Sequence, residues 1–197
     1  MLKSNVGWST NVDSYNQGKE SAAKAVVDLV QTKVAFLYTS VDCDVAKVLE
    51  GAKAELGTAP IIGCTSSAGI ITPDGFISSE NGFTGILALG DSDLNVGVAS
   101  SPRNENPRET GKKVALEAMK NAGRTDSPAY FYMVASPSEE EEYIKGIQEV
   151  IGMVPVFGGS AADNTVEGKW SIYTNDAIFA DGVAVAFFYT DQEMKNL

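Results

Sequence analysis

The sequence predicts an α/β protein made of two similar halves, about 1–93 and 94–197. Each half is a duplicated β-α-β-α-β unit followed by antiparallel strands, in mixed sheets with helices packed outside. Three observations carry this reading. Pro60-Ile61-Ile62-Gly63 returns 95 residues later as Pro155-Val156-Phe157-Gly158. Gly51, Gly57 and Phe36 return at the same spacing as Gly146, Gly152 and Phe131. Short apolar runs of strand character alternate with longer helical patterns, in the same order in both halves. Glycine and proline fix backbone geometry rather than packing, so they outlast divergence between repeats.

In chain order, Asn5–Thr10 reads as a short strand. Ser14–Gln31 reads as a helix with Ala22, Ala25, Val26 and Leu29 on one face. Lys33–Ser40 is apolar throughout its middle, the mark of a strand covered on both faces. Asp44–Leu56 is a second helix, stopped by Gly57. Pro60–Thr65 is the next strand, and a turn-rich stretch follows with a small hairpin through Asp74-Gly75. Gly82–Gly90 and Leu94–Ser101 are strands joined by Asp91-Ser92-Asp93, a connection short enough to predict an antiparallel pair.

The second half repeats the order. Asn106–Ala122 is helical, and Gly111-Lys112 in it echoes Gly18-Lys19. Ala129–Ala135 is a buried strand. Ser138 before Glu139–Glu142 predicts a helix start, with a hydroxyl cap and acids facing the positive end of the dipole. Gly152 ends that helix. Val154–Phe157 is a strand and Gly158–Lys169 a loop. Trp170–Thr174 and Ala177–Phe179 form a hairpin around Asn175-Asp176, and Val183–Tyr189 is the last strand. One continuous sheet and two stacked sheets both fit this order.

The chain has 44% hydrophobic and 21% charged residues, the balance of an ordinary globular protein. A net charge of −11 disfavours nucleic acid and anionic membrane as partners, because both require a basic footprint. No segment is apolar for the roughly 18 residues that a spanning helix needs, and the N-terminus lacks a signal-peptide core. Two cysteines without framework spacing fit a reducing, cytoplasmic setting. The chain has no histidine, which removes the commonest metal ligand and general base.

Two segments can carry chemistry: Gly63-Cys64-Thr65-Ser66 and Gly158-Gly159-Ser160 with Asp163. Both read as turns after a short strand. Ligands in open α/β sheets sit beyond the carboxyl ends of strands, where glycine admits a ligand to the backbone. Free N–H groups and hydroxyls there hold polar groups. Each residue also has a plain structural role: the glycines shape turns, Cys64 packs as a small hydrophobe, and Asp163 caps the backbone that follows. Asp163 is otherwise the acid for a ligand ammonium. Tyr38, Tyr132, Trp170 and Tyr173 read either as walls of a pocket or as core. No phosphate loop, nucleophile elbow or paired Cys-x-x-Cys is present.

The runs VAFLYTS, PIIGCTSSAGIIT, GFTGILALGDSDLNVGVAS, VPVFGGSAADN and TNDAIFADGVAVAFF resemble the N-terminal region of FIST proteins. The resemblance covers nearly the whole chain. It implies an intracellular sensory domain of signal transduction that binds a small polar ligand such as an amino acid. It also implies a C-terminal FIST domain, absent here, or a signalling protein as partner. Some similar sensors hold haem through histidine; this chain has none, and no cofactor or metal is expected. The resemblance implies no catalytic residues. The expected ligand-binding residues are therefore Gly63, Cys64, Thr65, Ser66, Gly158, Gly159, Ser160 and Asp163. The rival functions are an interaction module without ligand, and a hydrolase using Cys64 or a serine, for which the sequence supplies no base.

Overall fold

The computed structural model describes residues 1–90 and 93–191. Lys3–Ser9 forms β1, Ser14–Ala25 α1, Thr32–Ser40 β2, Val45–Leu56 α2 and Ile61–Ser66 β3. A hairpin of Ile70–Thr72 (β4) and Gly75–Ile77 (β5) precedes Thr84–Gly90 (β6). The second half runs Asn95–Pro102 (β7), Pro107–Asn121 (α3), Tyr130–Ala135 (β8), Glu140–Ile151 (α4) and Val156–Ser160 (β9). Ile172–Thr174 (β10) and Ile178–Phe179 (β11) form another hairpin before Gly182–Tyr189 (β12).

Local chemistry sets the helix starts. The side chains of Asp13, Asp44 and Asn106 accept from backbone N–H groups of the first turns of α1, α2 and α3. α4 starts differently from expectation. Ser138 has a φ of 92° and is not the cap; Glu139 takes that position without a side-chain cap bond. The carboxylate of Glu139 pairs with Arg103 instead. α1 ends at Ala25, short of the expected Gln31. Val26 and Val27 are poor helix formers, and Asp28 turns the chain with a left-handed φ of 62°.

The strands form two main sheets that share a four-strand plan, to which the first adds β10 and β11. The first has the order β1-β6-β2-β3-β10-β11 and the second β7-β12-β8-β9. In each, the first two pairings are antiparallel and the third is parallel, bridged by α2 or α4. This shared topology is consistent with an internal duplication. Gly51 and Gly146 show why glycine recurs: a Cβ there would lie 1.9 Å from the Tyr15 carbonyl oxygen and 2.0 Å from that of Arg108. Only glycine lets α2 sit so close to α1, and α4 to α3.

Two expectations are corrected by the sheets. Gly82–Gly90 and Leu94–Ser101 do not pair. β6 already has β1 and β2 on its two edges, so the chain crosses to the other sheet and β7 pairs with β12. Asp91 and Ser92 of the expected turn lie outside the described residues. The counterpart of Phe36 is Tyr132, not Phe131. Phe36 is opposite Ile62 in its sheet, as Tyr132 is opposite Phe157. A one-residue slip reverses the face, and Phe131 accordingly packs under α3 and α4 while Tyr132 faces the other sheet.

The layers run helices, sheet, sheet, helices. Ala22, Val48, Leu49 and Ala52 cover Ala35, Leu37, Ile61 and Ile86 on the outer face of the first sheet. Val114, Ala118, Tyr143 and Ile147 cover Phe131, Met133, Val185 and Phe187 on the second. Between the sheets lie Val34, Phe36, Ile62 and Cys64 from one side and Tyr132, Val134, Ala186 and Phe188 from the other. The sheets are therefore stacked, and every residue of β12 is buried, as a strand covered on both faces requires. β10 and β11 belong to the second half in sequence but extend the first sheet, where β10 pairs antiparallel with β3.

Candidate functional site

Both glycine-hydroxyl segments lie within strands: β3 follows the expected strand Pro60–Thr65 and runs one residue further to Ser66, whereas Gly158 to Ser160, expected as loop, are strand. Gly63 to Ser66 complete β3 and Gly158 to Ser160 complete β9. The parallel ladders to β2 and β8 run through both glycines, and the expected turns begin only at Ser67 and Ala161. A Cβ on Gly63 or Gly158 would lie under 2 Å from the carbonyl oxygen of Leu37 or Met133, so each glycine answers the same close strand approach.

The individual side chains differ between the copies. Cys64 is buried between the sheets, and burial pushes its thiol up to about 12, so it holds no thiolate at neutral pH. Thr65 is buried; its Oγ1 accepts from the Ser171 N–H at 2.9 Å and its own N–H donates to the Ser171 carbonyl at 2.9 Å. Ser66, half-buried, donates its hydroxyl to the Gly69 carbonyl. Gly159 and Ser160 are exposed, and the Ser160 hydroxyl donates to Glu140 at the start of α4.

Asp163 is buried, and both its carboxylate oxygens accept from the backbone. The Thr165 and Val166 N–H groups reach one oxygen, those of Glu167 and Lys169 the other. Burial opposes its ionisation, but these N–H groups outweigh it and hold the carboxyl below its ordinary range. Asp163 thus shapes the loop between β9 and β10.

That loop meets the one after β3. The Thr65 carbonyl accepts from the Ala162 N–H at 3.0 Å. Asn164 accepts from the Ala68 N–H at 3.3 Å and donates to the Asp42 carboxylate at 2.9 Å. The structure therefore joins the two segments through the loops that leave them, while the hydroxyl-bearing strands themselves lie in different sheets.

Beside this junction is a cleft of about 450 Å³, lined by Val6, Trp8, Tyr38, Ser66, Gly69, Ile70 and Leu87 among others. The β4–β5 hairpin flanks it, with Ile70 packed towards Gly85. Its walls are mainly apolar. Its polar groups include Ser66 and the Tyr38 hydroxyl, which hydrogen-bonds with Tyr132 across the two sheets. Burial pushes both phenols up, so both are neutral at physiological pH. The sequence singled out Ser66 and Tyr38 but missed Val6, Trp8 and Leu87. In β1 their signal was Val6 and Trp8 two residues apart on one face, opposite the buried Gly7 and Ser9; β6 is apolar from Gly85 to Leu89 and marks neither face. A wider groove of about 650 Å³ lies near Pro60 and Asn175, away from the carboxyl end of β3. Among the described residues, no group of three His, Cys, Asp or Glu side chains is placed to hold a metal ion. No described helix is long and apolar enough to cross a membrane.

The chain belongs to the FIST family: the family model of the FIST N domain matches residues 33–196. No curated protein matches it. Among solved structures it is similar to a cyanuric acid hydrolase from A. caulinodans, at 10% identity and a TM-score of 0.48. That match covers 96% of this chain and 67% of the hydrolase chain. So distant a likeness speaks to neither activity nor substrate.

Proposed function

We propose that this chain is an intracellular small-molecule-binding sensory domain whose ligand enters the cleft beside Tyr38 and Ser66. The observation that carries this reading is the position of the cleft, at the carboxyl end of β3 and next to the Thr65–Ala162 bond that ties the two sheets together. A ligand touching Ser66 and Gly69 acts one peptide away from that bond, and so shifts a population between two arrangements of the loops. The walls favour an amino acid or similar metabolite with an apolar body, its polar end meeting the Tyr38 and Ser66 hydroxyls. In this reading Thr65 and Asp163 position the loops, and Gly63 and Gly158 let the strands approach. Cys64 is not a nucleophile in this scheme, since it is a buried thiol without a base.

A thermal-shift screen with amino acids and small metabolites tests the reading. A ligand at about 100 times its Kd stabilises a fold by roughly 2.7 kcal/mol, a visible rise in melting temperature. The same ligand should change tryptophan emission, and Trp8→Phe should remove that change. Gly85→Val, whose added Cβ comes nearest to the terminal methyl of the flexible Ile70 side chain, should fill the cleft and abolish the shift. If no compound in the screen shifts melting or emission, the chain is better read as an interaction module without ligand.

A further inference from the structure

The structure contains one docked hairpin and one undocked counterpart. β10–β11 and β4–β5 share the pattern Ile-x-Thr-x-Asp, as Ile172, Thr174 and Asp176 and as Ile70, Thr72 and Asp74. Their strands pair in the same register, Tyr173 opposite Ile178 and Ile71 opposite Phe76. The strands that receive such hairpins also come in two copies. β3 and β9 share the Pro-x-x-Gly spacing and the parallel neighbour.

In the first sheet the contact is made. β10 lies along β3; Ile172 and Tyr173 are fully buried, and so is β3 from Ile61 to Thr65. The Tyr173 hydroxyl donates to the carbonyls of Leu37 and Cys64. In the second sheet it is not made. β9 has no strand on its outer edge among the described residues, and all five of its residues are exposed. Its ladder to β8 turns the N–H and C=O groups of Val156, Gly158 and Ser160 outward, as those of Ile61, Gly63 and Thr65 turn toward β10. Among the described residues β4–β5 pairs only with itself, and Ile71 is 89% and Phe76 64% exposed.

We propose that the β9 edge takes the β4–β5 hairpin of a second copy of this chain, repeating between molecules the contact that β3 and β10 make within one. Each copy carries both halves of that contact, a hairpin of the docking pattern and an edge of the receiving pattern. Docking places Ile71 where Tyr173 sits, against an edge on which Val156 replaces Ile61 and Ser160 offers a hydroxyl in place of Thr65. It covers an exposed strand edge and two exposed apolar side chains at once, the features by which sheets recruit strands.

Two differences set the character of the contact. Pro73 stands where Asn175 holds the Ile61 N–H and the Ala59 carbonyl, so the intermolecular version lacks those bonds and is reversible. Only Ser67 to Gly69 link β3 to β4, whereas Ala161 to Ser171 link β9 to β10. The short link keeps β4–β5 at the rim of its own sheet, and the partner's edge comes to it. The contact is head-to-tail, with different surfaces from the two copies. It does not depend on the ligand reading.

Sedimentation of the full chain over a range of concentrations tests the proposal. The expected result is reversible association, lost in Ile71→Asp and lost equally in Val156→Asp, two substitutions at exposed positions that leave circular dichroism and melting unchanged. Mixing the two variants should restore a 1:1 pair, because one supplies an intact edge and the other an intact hairpin. A chain that stays monomeric at every concentration overturns the proposal and leaves the β9 edge to a foreign strand. Association that survives either substitution, or that mixing does not restore, overturns it as well.

Discussion

Ile61 and Val156 hold the same place in the four-strand plan that the two sheets share, yet Ile61 is fully buried and Val156 is 40% exposed. Both follow the proline of a Pro-x-x-Gly strand, and both have a parallel neighbour reached through a helix. What separates them is a hairpin from elsewhere in the chain: β10 covers the first strand and nothing described covers the second. Burial of a strand is thus a property of its neighbours. Residues of almost equal apolar character are core in one copy and rim in the other.

The largest test of this difference is a pair of truncations. Ile61→Ala should cost about 2–5 kcal/mol, the range for deleting a packed core side chain. Val156→Ala, at an exposed site, should stay within about 0.5 kcal/mol. Chemical denaturation of both variants at a concentration where the chain is monomeric checks the contrast, and equal costs would break it. Next in size is Tyr173→Phe. It strips the hydroxyl from two buried carbonyls and should cost roughly 1–3 kcal/mol. Ile71→Val at the counterpart position should leave the stability of the monomer unchanged.

The smallest effect concerns the loop that carries β10 to β3. The Asp163 carboxyl lies below its ordinary value in the folded state. Its contribution is therefore fully present above the ordinary aspartate pKa and is lost as pH falls through the lower folded value. Melting temperature should decline below about pH 4, partly through this group. Asp163→Asn should be less stable than the parent at neutral pH and should show a shallower acid decline. An unchanged acid slope in that variant would remove Asp163 from the explanation.

Much of the candidate site was legible in residue types but not in role. Gly63 and Gly158 stood out because a backbone constraint survives in sequence, and both do mark close approaches of neighbouring strands. Their reading as turns failed because the parallel ladders to β2 and β8 run on past both glycines, to Ser66 and Ser160, through pairings between residues more than 20 positions apart. Asp163 was readable as a cap, since aspartate bonds to the backbone that follows it, and four N–H groups converge on it. Trp8 and Leu87 were not readable as cleft walls. An apolar residue on a strand looks the same whether a second sheet covers it or leaves it open.

By itself the sequence determined the order of elements, the caps at Asp13, Asp44 and Asn106, and the strands such as β2 and β12 whose continuous apolar runs require cover on both faces. These features act within a few residues, through dihedral preference, capping and side-chain period. Only the tertiary structure decided that β6 and β7 part into different sheets and that the second half lends β10 to the first. It alone also decided that β4–β5 remains exposed. Such choices follow from which faces and edges remain uncovered once all the layers are assembled, and that balance is a sum over the whole chain.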